Sequence, residues 1–538
     1  MNRRRVGVAL AAAVASAALL VAVGPTGVVG SARADTEEAA AVRCAASAGP
    51  DGADVAGPNS APVDGMAGMP GMADSGSGQS MQMLRDRLAR TPSGGTLTVQ
   101  PGIYRGALVI DHPVTLVGLG HATLQGDGTG TVLTIRAAGT TVRDLMIEGS
   151  GPGPVGNPAG VSVEADHVVV KDLHIRDTYT GILVEGAADA RIIGNVIEGR
   201  ATAAGSDQSA RMDGDMAGMV MGSGQGGTQA GPGDGVSLFN ATRPVVAGNT
   251  ITDSRDGVYV SYGSGTRIEC NSVVGGRYAV HGMYGKSVTI SGNHFATNQS
   301  GPVLMYGGPV TLEANVIRDE QSAATGFGVL LLDVSGVRLV RNVIVRNRVG
   351  LQIQGPLGDP RPTAVELNTI ALNQVGVGLY PTADAVLSRN SLVENTVQVL
   401  GLGPDGGGGA SHWSRAGVGN YWSNYRGFDR SGRGVGAIPH IEGAAAGRLL
   451  AGDPTLLALA SSPAFTLLRA VEQRSAGQRP VVIDRYPTVD PSSPSLPSAA
   501  THAALGTGLA GVTVLAICSL VLLRSTRRRQ LPIGRTTL

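Results

Sequence analysis

Of the 13 methionines in this chain, nine sit in two glycine-rich clusters, and these are the side chains whose spacing could do chemistry. The first cluster holds Met66, Met69, Met72, Met81 and Met83, and the second Met212, Met216, Met219 and Met221. In Gly65-Met66-Ala67-Gly68-Met69-Pro70-Gly71-Met72 a thioether recurs every three residues. Thioethers are soft, uncharged donors that suit Cu(I), bind hard cations poorly and need no deprotonation. Segments of Gly, Asp and Ala offer no core to fill, so packing does not account for most of these methionines. Capture of cuprous copper and simple low-complexity composition remain as the two readings. Met81 and Met83 flank a short helical pattern, where packing is at least as good an account.

A second grouping, His281, Met283 and Met305, lies on strand-like sequence. Its geometry follows from a repeat. Asn249, Asn271, Asn293, Asn315, Asn342, Asn368 and Asn390 each open a short apolar strand, at steps of 22, 22, 22, 27, 26 and 22 residues. One such repeat cannot bury its own apolar face and needs stacked neighbours, which marks a solenoid. Short Val/Ile/Leu strands broken by Gly or Asn, without helix-length periodicity, specify an all-β, right-handed parallel β-helix. Its coils stack at about 4.8 Å, and the asparagines form an internal amide ladder at one corner.

Alternation along each strand then sorts the side chains. Val258, Val280, Pro302, Val329 and Leu351 fall inward. Tyr259, His281, Val303, Leu330 and Gln352 point outward, as do Ser261, Met283, Met305, Leu332 and Gln354. Met283 and Met305 are thus one coil apart in one column, with His281 beside Met283. Tyr262, Tyr284 and Tyr306 form an aromatic ladder at the strand ends. By spacing alone, a covered or partner-binding apolar patch with a satisfied histidine fits this wall better than a metal site.

Other chemistries find less support. Polysaccharide cleavage needs converging carboxylates, for acid/base work or for calcium, with Arg or Lys against the sugar acid. The outward columns hold no acidic cluster, Glu313 and Asp333 stand apart, and Asp384 and Glu394 are scattered. Asp111-His112-Pro113 resembles an epimerase acid/base motif but lies at an early corner without a partner. The chain therefore reads as a non-enzyme, with a carbohydrate-active or cell-wall-binding β-helix as the alternative. A formal net charge of +1 and the lack of stacking or basic-groove motifs speak against nucleic acid. Only 3% of residues are aromatic while 81 are glycine, which suits a solenoid with a thin aliphatic core.

Residues 1–34 read as a secretory signal peptide, with Arg3-Arg4-Arg5, an apolar run and a small-residue site at Ala32-Arg33-Ala34; an uncleaved anchor is the alternative. Residues 35–80 form a disordered Met-rich segment. The β-helix spans 81–405, opening with a short helix over Gln82–Arg90 that packs Leu84 and Leu88 over its open end. A Met-rich loop insertion occupies 201–233. Past Asn395 the period fails, Gly406–Gly409 forms a hinge, and 406–486 is a capping region with a short amphipathic helix at Pro463–Glu472. A Pro/Ser linker, 487–502, precedes an uncharged apolar transmembrane helix at 503–523 and an Arg-rich cytoplasmic tail, 524–538. The domain is thereby exported and held at the extracytoplasmic face of the cell membrane by its C-terminal anchor. The three cysteines, Cys44, Cys270 and Cys518, contain no CxxC and so no thiolate metal site; Cys44 and Cys270 are free to pair in an oxidising compartment.

Arg277-Tyr278-Ala279-Val280-His281-Gly282-Met283-Tyr284, followed by Pro302-Val303-Leu304-Met305-Tyr306, resembles the central signature of the NosD family of nitrous-oxide reductase maturation proteins. Gly419-Asn420-Tyr421-Trp422-Ser423-Asn424-Tyr425 and Gly427-Phe428-Asp429 are similar to the segment that follows the coils in that family. Gln100-Pro101-Gly102-Ile103-Tyr104 and Ser462-Pro463-Ala464-Phe465-Thr466-Leu467-Leu468 fit as well. The resemblance spans roughly Met81 to Tyr486. It implies an extracytoplasmic β-helix that handles copper, or sulfur, for copper-site assembly in nitrous-oxide reductase. The implied partners are an ABC-type ATPase and membrane subunit (NosF- and NosY-like), the reductase, and a membrane-bound NosL-like copper chaperone. On this basis His281, Met283 and Met305 become the candidates for a transient Cu(I) or partner contact. Where relatives carry an acidic Asp/Gly loop, this chain has Asp429-Arg430-Ser431-Gly432-Arg433-Gly434, and its two arginines argue against calcium.

Overall fold

In a computed structural model of the protein, residues 80–491 are described except for 154, 201–231, 323–324, 357–360, 404–408, 444–461, 465–466 and 468–479. Runs of three to six mostly apolar residues, each ended by a corner, are too short to pair with their sequence neighbours. Each pairs instead with the equivalent run one coil away. The outcome is a right-handed parallel β-solenoid of about 12 turns, with three sheets of 12, 13 and 12 strands. The first sheet starts at Gly95–Val99, the second at Gly102–Arg105 and the third at Leu108–Ile110. Inward residues of all three merge into one aliphatic core from Met81 and Leu84 to Trp422 and Val482.

The asparagine column is the backbone of this arrangement. Asn195, Asn249, Asn271, Asn293, Asn315, Asn342, Asn368, Asn390 and Asn420 are all buried. From Asn249 onward, each carboxamide oxygen accepts both the backbone N–H and the side-chain NH2 of the asparagine one coil earlier, at 2.8–3.1 Å. From Asn195 to Asn390 the preceding residue adopts a left-handed conformation, whether it is Gly248 (φ 65°) or Arg341 (φ 55°). A non-glycine there costs about 1–2 kcal/mol, which the ladder's paired amides offset.

The expectation that the period fails beyond Asn395 is corrected here. Asn420 adds one more rung to the ladder and Tyr421–Trp422 one more strand to the second sheet. The column ends on Asp484, whose carboxylate accepts the Asn420 N–H at 2.7 Å and the Trp422 indole N–H at 3.0 Å. Val482–Asp484 is held by antiparallel pairing with His440–Glu442. Thr488 bridges to both Tyr421 and Val435, so packed chain continues past Pro487, where the sequence points to a linker.

At the other end the helix Met81–Arg90 lies over the first coil, with Ser80 Oγ accepting the Met83 N–H at 3.2 Å as its N-cap. Met81, Leu84 and Leu88 are buried, whereas Met83 is exposed. His112 does not await a substrate: its Nδ1 meets Asp111 at 3.0 Å and its Nε2 meets the carbonyl of Thr91, the helix C-cap, at 2.9 Å. Leu84→Ala is expected to destabilise this end by about 2–5 kcal/mol, because the site cannot collapse over a missing isobutyl group. Hydrogen exchange should then speed up in the first coils and leave the distal ones unchanged.

The predicted inward and outward columns agree with the observed register. Tyr262, Tyr284 and Tyr306 stack on the outside at 5.0 and 5.6 Å between ring centroids. Glu313 is not isolated but pairs with Arg341 at 3.3 Å. Cys270 is disulfide-bonded; Cys44 and Cys518 both lie outside the described residues. Also outside them are the signal-peptide segment, the Met66–Met72 and Met212–Met221 clusters, most of Pro463–Glu472 and the apolar run 503–523. Among the described residues no helix is long and apolar enough to cross a membrane.

Candidate functional site

The third sheet carries the site on its outer face. Glycines at the start of its strands point inward, where a Cβ on Gly301 would come within 2.2 Å of the Gly328 carbonyl oxygen and 2.9 Å of the Ile317 methyl. Only glycine tolerates that approach. Behind this seam the strands Asp256–Ser261, Tyr278–Met283 and Ser300–Met305 run in register. Tyr259 opposes His281, which opposes Val303; Ser261 opposes Met283, which opposes Met305. His281, Met283 and Met305 are therefore neighbours on two adjacent coils, outside the lumen.

This wall is not an exposed one. His281 is 4% exposed and Met305 2%, while Met283 is half-buried. Met305 packs in a second apolar cluster, separate from the lumen, with Tyr278, Val303, Phe327 and Leu330. The Tyr259 hydroxyl reaches the Met283 sulfur at 3.8 Å. The imidazole of His281 sits 5.0 Å from the Tyr259 ring and 5.1 Å from that of Tyr278, edge-on to the latter.

Sequence columns read from Val258, the third residue of its strand, missed a buried ionic cluster that involves the first residue, Asp256. Asp234 and Asp256 lie on successive coils, both buried and both outside the outward columns read from the sequence. Arg277 grips both carboxylate oxygens of Asp256, at 2.9 and 2.8 Å, and its guanidinium lies 4.5 Å above the Tyr278 ring. Arg255 grips Asp234 through two contacts of 3.0 and 2.9 Å. Burial pushes the Asp234 carboxyl up to about 6, against the pull of Arg255. Burial also acts to raise Asp256, but the Arg277 charge and the hydrogen bonds from His281 and Arg277 outweigh it and hold that carboxyl below its usual range. The signal was present in the sequence as two pairs at the coil period, Asp234 with Asp256 and Arg255 with Arg277.

His281 Nδ1 lies 2.8 Å from Asp256 Oδ2. An ionised carboxylate only accepts, so Nδ1 carries the proton, and in the neutral form of the ring the lone pair is on Nε2. That Nε2 is buried and has no hydrogen-bond partner among the described residues. A buried imidazole nitrogen is costly to leave unpaired, and an ordered water or a metal ion would complete it. A carboxylate-braced imidazole beside two thioethers is a soft N/S donor set and fits Cu(I). Among the described residues no group of three or more His, Cys, Asp and Glu side chains gathers to hold a metal ion. Asp429 is likewise committed, since its carboxylate takes the N–H groups of Ser431, Gly432 and Gly434.

The model of a family described as periplasmic copper-binding protein (NosD) matches residues 217–427. A protein of Pseudomonas aeruginosa named probable ABC transporter binding protein NosD is 31% identical over 418 residues, covering 75% of this chain and 89% of that protein. Its namesake in Stutzerimonas stutzeri is 31% identical over 435 residues, covering 78% of this chain and 91% of that protein. Among solved structures, the A-module of an Azotobacter vinelandii mannuronan C-5 epimerase covers 64% of this chain and 95% of that chain, with 15% identity and a TM-score of 0.48. With the two bacterial proteins aligned over most of its length, the chain belongs to the NosD family.

Proposed function

We propose that this protein accepts Cu(I) outside the cytoplasm and passes it on for copper-site assembly in nitrous-oxide reductase, in association with an ABC transporter. The observation that carries the reading is the free, buried Nε2 of His281 on the same wall as Met283 and Met305. Support for the wider setting comes from the copper-binding description of the family and the transporter-binding names of its relatives. Delivery requires exchangeable ligands, and thioethers bind cuprous ion without adding fixed charge or a closed thiolate cage. Energy would come from the ATPase, so no residue here makes or breaks a covalent bond. The reductase, a NosL-like chaperone, NosF- and NosY-like transporter subunits, the cleaved leader and the C-terminal anchor at 503–523 complete the proposal.

In the same proposal Met66, Met69, Met72, Met212, Met216, Met219 and Met221 capture copper for this wall. Gly233 donates to the Tyr179 carbonyl and accepts from Arg255, on the coil that precedes Asp256. Competition of the intact protein against a chromophoric Cu(I) chelator tests both parts. His281→Ala should weaken the tightest site by more than the roughly 10–100-fold expected when only an outer supporting group is removed. Replacing Met212, Met216, Met219 and Met221 together by Leu should lower stoichiometry and leave circular dichroism unchanged. If His281→Ala binds Cu(I) as the parent does, the wall is not the site.

A further inference from the structure

We propose that Asp256, clamped by Arg277, is the positioning residue that fixes the His281 tautomer and aims its Nε2 lone pair at the incoming cuprous ion. This rests on the copper reading above, and adds a role for residues that are not themselves ligands. Asp256 is wholly buried and its two oxygens are already engaged, Oδ1 by Arg277 Nε and Oδ2 by Arg277 Nη2 and His281 Nδ1. Both oxygens are committed to neighbouring side chains, and the role this leaves the residue is orientation of the ring. A carboxylate partner on one imidazole nitrogen settles which nitrogen holds the proton, and makes the other a better donor.

Arg277 is needed for a distinct reason. The bidentate guanidinium fixes both carboxylate oxygens in place, so that Oδ2 faces the ring, and is itself braced over Tyr278. The fold supplies an internal control one coil earlier. Asp234 is also buried and is paired with Arg255, through Oδ1 only, and the position on the next strand that His281 holds relative to Asp256 is there Tyr259. The ion pair alone therefore recurs; the ion pair with an imidazole occurs at Asp256.

The test uses the full chain, first without metal. Nitrogen-15 NMR of histidine-labelled protein at neutral pH, with the His281 signals assigned by their loss in His281→Gln, should show protonated Nδ1 and bare Nε2. In Asp256→Asn the carboxamide can accept from or donate to the ring, so the Nε2–H tautomer should become populated. Asp234→Asn should leave the His281 signals unchanged. After loading with Cu(I), X-ray absorption of Asp256→Asn should lose imidazole scattering while keeping the sulfur shell, with affinity about 10–100-fold lower. A parent His281 protonated on Nε2 overturns the proposal, even if Asp256→Asn does not fold. So does an Asp234→Asn that alters the ring as much as Asp256→Asn, or an Asp256→Asn with parental tautomer and copper signature. If the apo tautomer result holds but His281→Ala leaves Cu(I) binding intact, the copper reading fails and the positioning of the ring by Asp256 stands.

Discussion

Asn315→Ala is expected to lower the stability of the central coils by about 2–5 kcal/mol, the cost of leaving two or so buried polar groups unpaired. Asn315 Oδ1 accepts the Asn293 N–H at 3.0 Å and the Asn293 amide at 2.9 Å. Its own amide serves the Ile290 carbonyl at 2.8 Å and Asn342 Oδ1 at 2.9 Å. Alanine would strand the buried Asn293 N–H and would halve the donors on Asn342 Oδ1. In a solenoid each coil touches only its neighbours, so the loss should be local. Native-state hydrogen exchange should show faster opening around Asn293, Asn315 and Asn342 and little change near Asn195. A shift below about 0.5 kcal/mol, the size of an ordinary surface substitution, would mean the ladder is decorative.

Glu320→Gln should act in the opposite direction and in a pH-dependent way. Glu320 stands in a second, shorter column with Asn298, Asn347, Asn373 and Asn395. It accepts the Asn298 amide at 3.1 Å and gives its N–H to Asn347 Oδ1 at 3.0 Å, while Oε2 is buried without a partner among the described residues. Burial, only partly opposed by the Asn298 hydrogen bonds, drives this carboxyl well above its ordinary value. The folded state thus holds its proton at a pH where the unfolded chain has released it. Stability is greatest below the unfolded value, falls as pH rises above it, and levels off once the folded carboxyl ionises. The slope across that window is about 1.4 kcal/mol per pH unit for one group. Gln cannot ionise and can offer Oε2's place a donor, so the variant should gain over the parent as pH rises from 5 to 8. Midpoints of denaturant unfolding at several pH values give that difference; a constant difference across the range would exclude a neutral Glu320.

Much of the fold could be read from spelling alone. Asn-led strands at steps near 22 residues specify stacked coils, because the same corner chemistry recurs wherever the coil closes. Alternation within each strand then placed Met283 beside Met305 and kept both out of the lumen. The second column was not legible, since Glu320 interrupts its asparagines and hides the period. The extra rung at Asn420 was hidden too, because 30 residues separate it from Asn390.

For the site, residue type and period brought together His281, Met283 and Met305, and nothing in them said whether the wall was open or covered. Only packing decided that His281 and Met305 are buried, since burial on an outer face depends on what folds over it. Packing also chose the partner. Asp256 and His281 lie 25 residues apart, a distance that becomes 2.8 Å because one coil of 22 residues plus three along the strand returns the chain to the same spot. The sequence by itself determined which side chains share a face. Tertiary structure decided which of them are desolvated, and therefore which nitrogen is left with a free lone pair.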